Sequence, residues 1–143
     1  MRPRRQADRS TVVKLIKWFL ESNYREGLES WTWLDLEEKR PLFASLFADV
    51  FFKAPDGYWF LDTFTGTLTK EWRRNVDVED VLETPDGQER YLRASLANDA
   101  AAAGLRLGTF DVYVFDAGNV SVAGFAAALN RCGRLRAGSI KAG

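Results

Sequence analysis

Residues 46–72 leave this chain few choices of fold. The run 46–53 is rich in Phe and Val, Pro55-Asp56-Gly57 has turn chemistry, and 58–63 is aromatic and apolar. Thr65-Gly66 makes a second turn, after which 67–72 alternates again. Gly57 and Gly66 supply the positive φ that such turns require. Two hairpin signals between three β-prone runs predict an antiparallel meander.

Helical signals flank it. After Ser10, a good N-cap, Val12, Leu15, Ile16, Phe19 and Leu20 share one helical face, which predicts a helix over 10–22. Trp31 and Trp33, two apart, suit one face of an extended segment, with a turn over 35–41. A short helix is expected over 77–83 and a longer one over 87–103, striped by Tyr91, Leu92, Leu96, Ala100 and Ala103. The run 110–115 alternates as a strand; Ser121 then caps a last helix that Gly133 stops. Strands and helices fall in separate clusters, so the fold class is α+β: an antiparallel meander packed against several helices. The expected division is a disordered basic lead-in (1–9), one domain (10–133) and a mobile basic tail (134–143).

Of the 143 residues, 46% are hydrophobic and 28% charged, a globular composition. No window approaches the ~20 apolar residues that span a bilayer, and no signal-peptide pattern follows the basic N-terminus. The single cysteine, Cys132, excludes an intramolecular disulfide and fits a reducing compartment, so the expected location is the cytoplasm.

Catalytic equipment is tested by elimination. With no histidine, the chain cannot build Ser-His-Asp or Cys-His arrangements, and nearly all zinc sites are excluded. No phosphate-binding glycine loop occurs, and Cys132 falls on an apolar helical face. The carboxylates Asp49, Asp62, Asp111 and Asp116 remain as candidates on or beside strands. Asp62 ends a strand before a turn, a position that equally suits an Asx-type bond to the turn backbone. Glu37 and Lys39, an acidic-x-Lys pair, sit in a charged turn. The expectation is therefore no enzyme, no catalytic residue, no metal and no cofactor.

Charge is unevenly placed. Residues 1–27 carry seven basic and three acidic groups, 28–119 carry nine and seventeen, and 120–143 carry four and none. The acidic body and the lack of aromatics among the basic ends (Arg2, Arg4, Arg5, Arg9; Arg131, Arg134, Arg136, Lys141) argue against nucleic acid. The aromatics point to protein binding instead. Phe47, Phe51, Trp59 and Leu61 are expected on one meander face, with Phe52, Tyr58 and Phe60 on the other. Any part left uncovered would be a partner surface, where Trp, Tyr and Arg are typical anchors.

Trp31-Thr32-Trp33-Leu34, Pro41-Leu42-Phe43-Ala44 and the run 46–52, followed by 56–68, carry a family resemblance over roughly 28–133. The chain resembles a bacterial family of domains found as the C-terminal domain of type VI secretion immunity proteins, linked to GAD-like domains and akin to the SUKH group. It departs from that pattern at the short Asp116-Ala117-Gly118 turn and in its basic ending. The resemblance implies a non-catalytic immunity-type protein that neutralises a toxin by direct binding, with Trp31, Trp33, Trp59, Asp62 and Trp72 as expected contacts. The alternative is a small-ligand sensor domain with a pocket between sheet and helices.

Overall fold

Pro55 and Asp56 form a two-residue turn that pairs Ala54 with Gly57, and so sets the whole register of β3 (Val50–Ala54) against β4 (Gly57–Asp62). Gly57 sits at φ 145°, and a Cβ there would meet the Trp72 carbonyl oxygen at 2.6 Å. The Thr63–Gly66 turn leads into β5 (Thr67–Trp72), with Gly66 at φ 74°. The computed structural model describes residues 11–116 and 118–142, so Ser10 and the lead-in 1–9 lie outside the described residues.

The meander is larger than the sequence suggests. β2 (Arg40–Ser45) pairs with β3, and a two-residue β1 (Ile16–Lys17) pairs with Ala44 and Ser45, giving an antiparallel sheet in the order β1-β2-β3-β4-β5. Pro41 is tolerated in β2 because the ladder slips beside it, between Pro41 and Phe43. A separate hairpin joins β6 (Asp111–Asp116) to β7 (Asn119–Gly124).

Both faces of the sheet are covered. Phe51, Phe60 and Trp72 pack with Val78 and Leu82 of α2 (Asn75–Leu82), Tyr91 and Leu92 of α3 (Pro85–Leu92), and Ala97 and Ala100 of α4 (Ala94–Ala102). Val50, Phe52 and Leu61 pack on the other side with Tyr24 of α1 (Glu21–Gly27), Trp31, and Phe125 and Leu129 of α5 (Phe125–Ala142). Each such buried side chain contributes about 1.5–3 kcal/mol relative to exposure. The α+β class, with an antiparallel meander against several helices, is the observed one.

Several local expectations are corrected. The helix expected over 10–22 ends at residue 15; Ile16 and Lys17 add to the open edge of β2, and the helix resumes only as α1. Trp31 and Trp33 are not on a strand: Leu28–Trp31 is a 3₁₀ turn that places Trp31 under α5. The expected face partition is also wrong in how it matches β3 to β4, since Phe51 lies opposite Phe60 and Phe52 opposite Trp59. The helix expected over 87–103 breaks at Arg93, which adopts φ 53°, ψ 50°. Ser121 lies in β7 rather than capping a helix, because 119–124 finds its ladder partner in β6. Gly133 does not stop α5. A Cβ there would lie 2.1 Å from Ser30 Oγ, so this glycine admits the 3₁₀ turn against the helix, which runs through the expected tail to Ala142.

Candidate functional site

The five expected contact residues do not share one surface. Trp31 is fully buried and donates Nε1–H to the Leu129 carbonyl at 2.8 Å; Trp72 is buried on the opposite side of the sheet. Trp33 stacks on Trp31 with centroids 5.4 Å apart and donates to the Ser30 carbonyl. Trp59 is half-buried, donates Nε1–H to Asp56 at 2.9 Å and lies under Lys39 Nζ, 4.2 Å from the ring centre. These two tryptophans pack on the same cluster, whereas Asp62 belongs to a different arrangement.

That arrangement centres on Arg93. The turn 46–49 between β2 and β3 is buried, and a buried turn needs partners for its backbone. Ser45 Oγ accepts from the amides of Phe47 and Asp49 and donates to Asp49 Oδ2 at 3.0 Å. Asp49, fully buried, also accepts from the Thr63 amide and hydroxyl (both 2.9 Å) and from Arg93 Nε at 3.2 Å. Arg93 Nη2 reaches Asp62 at 3.1 Å, while Asp62 Oδ1 accepts from the amides of Phe64 and Thr65. Asp62 thus makes the Asx-type bonds that its position before the turn suggests. Burial pushes the Asp49 carboxyl above the usual aspartate range, against the pull of Arg93 and of the Thr63 hydrogen bonds. Its oxygens are occupied by structural donors, so the arrangement clamps two turns to the α3–α4 joint.

The other candidate carboxylates do not converge with it. Asp111 accepts from the Gly108 amide at 2.7 Å, and Asp116 lies exposed at the end of β6. Among the described residues no group of three His, Cys, Asp or Glu side chains is placed to hold a metal ion. No helix there is long and apolar enough to cross a membrane.

An apolar groove is the stronger candidate. It has a volume of about 410 Å³ and lies between the helical residues 11–15, the β1–β2 edge and α2. Val12, Ile16, Phe43, Val78 and Leu82 form its floor and walls. At its mouth Val13 and Trp18 are each 68% exposed, and the Trp18 ring rests on Phe43 with centroids 5.3 Å apart. Glu79 and Glu83 line the α2 side, and among the described residues the lining contains no lysine or arginine.

No protein-family model matches the chain, and no curated protein is significantly similar to it.

The groove therefore speaks for itself. An indole exposed to this extent loses little by staying on the surface, but burying it under a partner removes a large apolar area from water. The exposed Glu79 carboxylate beside that area favours a partner whose apolar contact is flanked by basic groups. Sequence reasoning missed Trp18 because it fell inside the expected helix 10–22. The signal was present: Trp18 lies off that helix's apolar stripe, between Lys17 and Phe19.

Proposed function

We propose that the chain is a non-catalytic binding module of the immunity type, which neutralises a bacterial toxin by holding it through the groove around Trp18. The observation that carries this reading is the exposed pair Val13 and Trp18 over an apolar floor with the exposed Glu79 alongside. Interface hot spots are typically tryptophans in water-excluding surroundings, and a toxin that acts on nucleic acid or anionic substrates presents basic groups to such a surface. The family resemblance of residues 28–133 supports the same reading. It implies action in the cytoplasm, where a lone thiol stays reduced.

The test is titration calorimetry of the purified chain with each toxin encoded in its own genome. A stoichiometric complex is expected, weakened by about 2 kcal/mol or more in Trp18→Ala and in Val13→Asp. If no such toxin binds, the immunity reading is overturned; if both variants bind with unchanged affinity, the groove is not the binding surface.

A further inference from the structure

A second cleft, of about 330 Å³, lies between the β6–β7 hairpin, α5 and the turn after β4. That volume is at the small end of the roughly 300–1,000 Å³ usual for ligand pockets. One wall is aromatic. Phe47 and Phe115 stack with centroids 5.5 Å apart and planes 13° from parallel, and Phe64 meets Phe115 edge-on at 4.9 Å. The facing wall is α5, where Arg131, Cys132 and Arg136 turn toward the cleft.

Charge makes the cleft specific. Arg131 and Arg136 line it, and among the described residues no aspartate or glutamate does. Among the described residues Arg131 makes no ion pair, and Arg136 commits only its Nε, to the Thr63 carbonyl at 3.2 Å. Cys132 lies between them in sequence, and its half-buried thiol is pushed up by burial and by the Asp49 carboxylate, against the opposing pull of both guanidiniums. Both arginines therefore line one cleft opposite its aromatic wall. Both guanidiniums line the cleft with no carboxylate among its described lining residues, and a carboxylate bound there would accept charge-assisted hydrogen bonds from them.

We propose that this cleft binds a small amphipathic carboxylate, with its apolar body against Phe47 and Phe115 and its carboxylate between Arg131 and Arg136. The site is separate from the groove around Trp18, and the two proposals stand or fall independently.

Decanoate and its uncharged counterpart decanol are the probes, titrated calorimetrically into the full chain. Decanoate binds and decanol binds at least about tenfold more weakly, the difference expected from hydrogen bonds to charged groups. Arg131→Glu, at an exposed position, abolishes the preference for decanoate and keeps the native circular dichroism. Bound decanoate also slows alkylation of Cys132, the only thiol, by N-ethylmaleimide. Trp18→Ala leaves decanoate binding unchanged. The proposal is overturned if decanoate does not bind, if decanol binds as tightly, or if Arg131→Glu retains the preference.

Discussion

Arg93 holds a backbone conformation that a non-glycine residue rarely takes, at φ 53° and ψ 50°, and its position is repaid by what its side chain reaches. From the joint between α3 and α4 the guanidinium pairs with buried Asp49 and half-buried Asp62 and lies over the Phe64 ring, 3.8 Å from its centre. Arg93→Ala would leave Asp49 fully buried without its cation, and breaking a buried pair in this way costs about 3–5 kcal/mol. The loss depends on pH. Burial already raises the Asp49 pKa in the folded state, and removing Arg93 raises it further. Between the unfolded and folded pKa values the folded chain binds more protons than the unfolded chain. Stability therefore falls as pH rises through that window, which is wider in the variant. Urea denaturation from pH 4 to 7 should show the variant nearer the parent at acid pH and progressively less stable toward neutrality. A pH-independent difference would show that Asp49 does not carry the effect.

At the scale of elements, what could be read from the sequence was what local chemistry decides. β3, β4 and β5 were legible because the Pro55-Asp56-Gly57 and Thr65-Gly66 turns lie within a few residues of the strands they join. The two-residue first turn even fixes Phe51 opposite Phe60, a register that the expected grouping of Phe51 with Trp59 and Leu61 overlooked. β1 was hidden because two residues carry no period of their own and depend on an edge formed some thirty positions later. Gly133 was misread for a related reason. Its role is set by Ser30 and Trp31, far away in the chain, and not by helix termination. The same helix offers an internal comparison. Alanine at either Gly133 or Gly138 gains up to about 1 kcal/mol of helix propensity. At Gly138 a Cβ meets nothing within 4 Å, so Gly138→Ala should stabilise. At Gly133 it would clash with Ser30 Oγ and with Trp31 Cδ1 at 2.8 Å, so Gly133→Ala should destabilise by about 1–3 kcal/mol despite the propensity gain. Thermal denaturation of the two variants should give shifts of opposite sign, and shifts of the same sign would contradict the packing role of Gly133.

For the whole molecule, the tryptophans separate holding the fold together from presenting a surface. Composition draws attention to all five equally, and the sequence-based choice of Trp31, Trp33, Trp59 and Trp72 omitted the one that is most exposed. The reason is physical: a sheet covered on both faces must bury its large aromatics on both, so an aromatic-rich meander is evidence of a core. The surface candidate lies on the chain leading into the sheet edge, where Trp18 rests on Phe43 without being enclosed. This division has a measurable consequence. Trp72, 9% exposed and in contact with Phe51 and Tyr91, should lose about 3–5 kcal/mol on Trp72→Ala. Trp18→Ala, at 68% exposure, should change stability by no more than about 0.5 kcal/mol. Chemical denaturation of the two variants measures both values. A Trp18→Ala loss approaching that of Trp72→Ala would mean the indole serves the fold, and the groove would lose its standing as a docking surface. With stability unchanged, loss of partner binding in that variant can be assigned to the contact itself, since the folded population presented to the partner is the same.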